Sequence, residues 1–263
     1  MHRTVVVAAS HWQPLRDAFA LGVNLARPRG AGVVLARVDI GPPHAAPELE
    51  ALRVTAPPDI PVETLVVTGP SIATGLRDVI AAHDAELLVL GSSHLGPTTR
   101  ALRGDVALEA VRDAPCAVAV APLGYAATEP HAPHAIGVAW DAGDEAAEAL
   151  EWAVQLAERT GGELRLINVS PRFQADFERG ERLEELRREV AERVDAVLEL
   201  RNGEPAHELA AVKGLDLMVV GSRAGSPLKR VMLGSVSADV LHHAPFPVLV
   251  IPRGVRAPLE SPA

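Results

Sequence analysis

DLMVVGSRAGS (216–226) is the phrase from which the fold can be read, because it occurs twice: ELLVLGSSHLG (86–96) is the same phrase 130 residues earlier. In both, an acidic residue leads a short unbroken apolar run that stops at Gly-Ser. Such a run, bounded by small residues, is the pattern of a strand buried on both faces. The match continues on both sides. LGVNLARPRGAGVVLARV (21–38) lies on WAVQLAERTGGELRLINV (152–169), and DAPCAVAVAP (113–122) lies on HAPFPVLVIP (243–252). A period of about half the chain marks a tandem duplication. The total of 263 residues agrees, since single domains usually hold about 100–150. PLGYAATEPHAPH (122–134) has no periodicity and reads as a linker. The expected division is a first domain at 1–122, a linker at 123–134 and a second domain at 135–263.

Within the second copy, strand patterns fall at 135–140, 163–169, 194–201, 216–220 and 247–251. Helical periodicity lies between them. Ala146, Leu150, Ala153, Val154 and Ala157 form one face, and Leu183, Leu186, Val190 and Val194 another, the latter among Glu and Arg at helical spacing. The first copy keeps the order with a shorter second helix near 46–54. Strands alternating with helices predict an α/β fold of two tandem, doubly wound, five-stranded parallel-sheet domains. Ligands of such sheets bind beyond the carboxyl ends of the strands. In the second copy those ends lead into Asp141, Ser170, Asn202-Gly203 and Gly221 onward.

Composition removes several function classes. A net charge of −9 opposes nucleic-acid binding, which needs a basic face to neutralise phosphates. Aromatic residues at 3% leave little for base stacking. One cysteine, Cys116, makes no internal disulfide and reads as a buried small apolar residue. The apolar stretch near the N-terminus is too short for a signal peptide or a membrane span, so no membrane association and a cytoplasmic location are expected. His131, His134 and the pair His242-His243 have no Cys or carboxylate at ligand spacing, so no metal site is expected. No nucleophile elbow, HExxH or carboxylate pair suggests an enzyme; slow nucleotide hydrolysis is the most expected.

GSRAGSPLKRVMLGSVS (221–237) leaves a strand and reaches Gly234-Ser235 at a helix start, where backbone N–H groups and the helix dipole favour an anion. It matches neither GxxxxGK[ST] nor GxGxxG. It resembles the nucleotide loop of the universal stress protein family: glycine, two residues, glycine, nine residues, glycine, then Ser or Thr. Gly221, Gly234 and Ser235 fit; Ala224 stands at the second glycine, with Gly225 one place late. ALEWA (149–153), GEPA (203–206) and HAPFPVLVIP (243–252) follow the family's order, so the chain is identified as a tandem member.

The resemblance implies a stress-response protein binding an adenine nucleotide, ATP or else ADP or AMP, with Mg2+ as its possible companion ion. Asp141 would contact adenine or ribose, Val169 would wall the adenine slot, and Ala139 would lie beside the base. Gly221, Ala224, Gly225 and Gly234 would lie against the phosphates, with Ser235, Val236 and Ser237 at the helix start. Arg223, Lys229 and Arg230 add nearby positive charge. Two plainer readings stand beside these: Ser235 as a helix N-cap, and Asp141 as a cap or solvated residue before the first helix of the copy.

The first copy departs further. Ser10, His94 and Asp105 stand at the acidic, second-glycine and terminal-serine positions, and Asp105 would set a negative charge where a phosphate should lie. This copy is expected to be structural or regulatory and not to bind ATP. Trp12 reads as a staple over its helix rather than a ligand platform. The alternative for the whole chain is an interaction or scaffold protein that binds no nucleotide. CAVAVAP (116–122) and PVLVIP (247–252) are apolar final strands, expected to pair the copies with each other and so remove two exposed edges. A homodimer through edge strands is the further assembly expected.

Overall fold

Alternation along short Val- and Leu-rich strands fills two faces at once: Val5 and Val7 point into one hydrophobic cluster, Val6 and Ala8 into the other. The computed structural model describes residues 3–8, 12–92, 114–128, 131–170, 177–222, 234–255 and 257. The first copy comprises β1 (Thr4–Ala8), α1 (Trp12–Ala26), β2 (Gly32–Asp39), α2 (Pro47–Arg53), β3 (Val62–Thr68), α3 (Ile72–Ala82), β4 (Leu87–Gly91) and β5 (Ala117–Ala121). The second comprises β6 (Ala135–Ala139), α4 (Asp144–Thr160), β7 (Glu163–Ser170), α5 (Phe177–Ala191), β8 (Asp195–Asn202), α6 (Pro205–Ala210), β9 (Leu217–Ser222), α7 (Ser235–His243) and β10 (Val248–Pro252). Among these residues no helix is long and apolar enough to cross a membrane.

All ten strands join one sheet in the order β3-β2-β1-β4-β5-β10-β9-β6-β7-β8. Each half is parallel throughout, and the halves meet where β5 and β10 pair antiparallel, with Val118 opposite Val250. The expected pairing of the final strands is present, and both are buried along their whole length. Helices α1, α2, α4 and α5 cover one face and α3, α6 and α7 the other, so both copies feed the same two cores. Because the halves run antiparallel, their strand carboxyl ends open at opposite edges of the sheet.

The duplication persists in small devices. Gly30 (φ 59°) and Gly161 (φ 65°) end the first helix of each copy in the left-handed region, where glycine is favoured. The turn after β5 is anchored on α1: Gly124 and Ala126 donate their N–H groups to buried Asp17 at 2.9 and 2.8 Å. In the second copy Gly254 N–H donates to Glu148 at 3.1 Å. The segment read as a plain linker therefore begins as an ordered structure, held also by the Asn24 amide donating to Tyr125 Oη at 3.0 Å. Its far end is tied to Asp216, which accepts the N–H groups of His134 and Ala135, each at 2.9 Å.

A cross-copy contact adds to the strand seam. Arg29 Nε lies 3.3 Å from Glu86 Oε1, and its guanidinium carbon is 4.8 Å from the ring centroid of Trp152 in the other copy. Burial pulls Arg29 down to about 10, with Glu86 opposing the fall, so it stays protonated at neutral pH. A desolvated guanidinium over an indole is a strong form of the cation–π contact.

Candidate functional site

The strand order reverses at β6, which has β7 on one side and β9 on the other. A cavity of about 310 Å³ lies beyond these ends, at the lower bound of the size usual for ligand sites, about 300–1,000 Å³. Ala139, Asp141 and Val169 line it from the ends of β6 and β7. Gly221 closes it at the end of β9, and Gly234, Ser235, Val236 and Ser237 face it from the start of α7. Eight of the expected residues are thus gathered in one cleft. Arg223, Ala224 and Gly225, with Lys229 and Arg230, lie outside the described residues, as do Ser10, His94 and Asp105 of the first copy.

Sequence reasoning missed half of the lining. Trp140 follows β6 directly, Glu145 and Ala146 belong to the first turn of α4, and Pro205 and Leu209 belong to α6. The GEPA phrase marked the start of α6. Nothing local showed that α6 folds back over Ile167 and Val169 to wall the cleft.

Several residues acquire sharper roles. Asp141 Oδ1 accepts the Gly143 N–H at 3.0 Å, and Ala142 between them takes a positive φ of 65°. For alanine that conformation costs about 1–2 kcal/mol, so the turn presenting Asp141 to the cleft carries strain. At α7, Gly234 is the N-cap and Ser235 the first helical residue, which corrects the N-cap reading of Ser235. Gly234 has no side chain with which to cap, and no other side chain caps this end among the described residues. Ser237 is buried, and its hydroxyl donates to the Gly221 carbonyl at 2.9 Å, tying α7 to β9.

Gly221 is required by packing. A Cβ there would fall 2.6 Å from the Glu145 carbonyl carbon, and one at the matching Gly91 would fall 2.7 Å from Pro14 Cα. Both glycines let the first helix of their copy rest on the strand end, whatever the cleft binds. Electrostatics are mixed, because Glu145 shares the cleft with Asp141 and has Arg253 Nε at 3.8 Å. Burial pushes the Cys116 thiol up to about 12, so it stays protonated and unreactive at neutral pH. Among the described residues no cluster of three His, Cys, Asp or Glu side chains could hold a metal.

A doubled, open parallel α/β sheet, joined through its final strands and bearing a cleft at a strand-order reversal, defines the class. The sequence profile described as the universal stress protein family matches residues 1–122 and 133–252, and the chain belongs to that family. Universal stress protein YxiE of Bacillus subtilis (strain 168) is 38% identical over 141 residues, 43% of this chain and 95% of its own. Universal stress protein Rv2319c of Mycobacterium tuberculosis (strain ATCC 25618 / H37Rv) is 27% identical over 203 residues, 69% of each chain. The crystal structure of a universal stress protein from Archaeoglobus fulgidus DSM 4304 superposes with a TM-score of 0.70 at 18% identity, covering 95% of this chain and 98% of that one. At that identity the likeness concerns the fold.

Proposed function

We propose that the second copy binds an adenine nucleotide, ATP in the first instance, in the cleft between β6, β7, β9 and α7, and that the first copy has a structural or regulatory part. One observation carries the reading: Asp141 and the start of α7, which no side chain caps among the described residues, line one cleft. A helix N-terminus favours phosphate, a carboxylate in the same cleft favours ribose hydroxyls or an adenine amino group, and Ala139 and Val169 add apolar walls. Mg2+ enters this reading only as the counter-ion a triphosphate brings. The division at 1–122, 123–134 and 135–263 belongs to the same reading. So does a homodimer through edge strands, which would have to use β3 or β8, since β5 and β10 are already paired.

Isothermal titration of the full chain with ATP tests it. About one ATP per chain is expected. Gly234→Asp, which sets a carboxylate at the dipole's positive end, should abolish binding while leaving the melting temperature of the free protein within a few degrees. Two per chain would contradict the assignment to one copy. No heat and no thermal shift at millimolar ATP, ADP or AMP would favour the scaffold reading, because a ligand at 100 times its Kd adds about 2.7 kcal/mol of stability.

A further inference from the structure

The first copy holds a cleft of its own, about 620 Å³, at the opposite edge of the sheet. Ala8, Val38 and Leu90 form its apolar floor, at positions matching Ala139, Val169 and Val220 by the repeat. The mouth is different. Where β7 carries Asn168 and Ser170, β2 carries Arg37 and Asp39, and α2 adds Glu48. Arg37 Nε lies 2.8 Å from Asp39 Oδ1, and its Nη1 lies 2.7 Å from Glu48 Oε1. Asp39 Oδ2 also accepts the His44 N–H at 2.7 Å. Among the described lining residues these bonds set two carboxylates, Asp39 and Glu48, around one guanidinium. Trp12 stands at the rim, 46% exposed. Arg16 places its guanidinium carbon 6.0 Å from the indole centroid, so a ligand cation at this ring would have to take the place of Arg16.

We infer that this first-copy cleft binds a small hydrophobic organic cation, an amine or ammonium compound with an apolar body. The body fills the floor between Val38 and Leu90, and the head lies at the mouth between the Glu48 carboxylate and the Trp12 ring. Arg37 acts as a positioning residue: its bonds to Asp39 and Glu48 fix both carboxylates before any ligand arrives, which lowers the ordering cost of binding. An anion meets the Asp39 and Glu48 carboxylates with the wrong sign. The inference stands whether or not the second copy binds nucleotide.

The tryptophans provide the test. Trp12 lines this cleft, Trp140 lines the other, and Trp152 is buried. The whole chain is titrated at pH 8. The probes are phenethylammonium, phenethyl alcohol and phenylacetate, with indole fluorescence as the readout in Trp140→Phe and Trp12→Phe backgrounds. Phenethylammonium should give a saturable change in Trp140→Phe, at least tenfold tighter than the alcohol, and none in Trp12→Phe. Phenylacetate should not saturate. Glu48→Gln should weaken the ammonium at least fivefold with helical circular dichroism unchanged; if that variant does not fold, the probe series on the other two chains decides alone. Equal affinity for alcohol and ammonium, saturation by phenylacetate, a response that survives in Trp12→Phe and is lost in Trp140→Phe, or no response to ammonium at ten millimolar would each overturn the inference.

Discussion

Gly221 shows at the residue scale how one residue type can carry two meanings. Its place after an apolar strand suits a phosphate loop, yet Gly91 occupies the same place in the copy whose matching loop positions carry His94 and Asp105. What the two share is the helix backbone resting where a Cβ would be. Gly221→Ala is therefore expected to destabilise the chain by about 1–3 kcal/mol through overpacking, and Gly91→Ala by a similar amount. Denaturant unfolding of both variants checks this. A loss of nucleotide affinity in Gly221→Ala with no loss of stability would instead give the glycine to the ligand. Asp141 was legible as a site candidate because it follows a strand; the positive φ of Ala142 that presents it was not, since nothing in WDAGD demands a left-handed alanine.

At the scale of elements, β5 and β10 form the centre of the molecule although each is the last strand of its copy. Their Val and Ala side chains are buried on both faces. Val118 and Val250 sit opposite each other, so a lysine at either leaves an ammonium without a partner in the core. Val118→Lys and Val250→Lys should each cost about 3–5 kcal/mol, the range for an uncompensated buried charge. Unchanged melting would show that the seam is not essential. Asp216 makes a second element-scale case, fastening the start of β6 through two backbone N–H groups and lying 3.3 Å from His131 Nε2. Burial pushes its carboxyl up, but the Ala135 and His134 N–H groups and then His131 outweigh it, and the folded pKa falls below 3.8. A lowered carboxylate pKa stabilises the fold above the unfolded value, and that stability is lost as pH falls through the folded value. Asp216→Asn should therefore lower the melting temperature at pH 7, with the gap to the parent chain closing below about pH 4. A gap independent of pH would assign the effect to packing.

For the whole molecule, the seam converts two exposed apolar edges into one buried pair, and Arg29 over Trp152 adds a polar lock between copies. A chain limited to residues 133–263 loses both and presents β10 as an open edge, the feature that leads sheets to self-associate. Light scattering of that fragment should report a dimer or larger species. A stable monomer would show that the edge is protected by other means. In the intact chain the outer strands β3 and β8 end the sheet, and the clefts of the two copies open at opposite ends of the strands.

The sequence by itself determined the repeat, the order of strands and helices, the parallel sheet and the pairing of the last strands. Each depends on periodicity or on apolar runs that register within a few residues. Strand ends, visible where an apolar run meets a small or acidic residue, pointed to Asp141 and Gly221, and the family resemblance added the other six of the eight expected residues that line the second cleft. Tertiary structure alone decided the rest. Folding α6 over β7 made Pro205 and Leu209 part of the cleft, and close helix–strand contact assigned Gly221 to packing. Cross-copy packing brought Arg29 to Trp152, 123 residues apart in the chain. The first copy's cleft was hidden for the same reason: Arg37, Asp39, Glu48 and Trp12 have no motif spacing, and only the packing of α1 and α2 around the end of β2 brings them together.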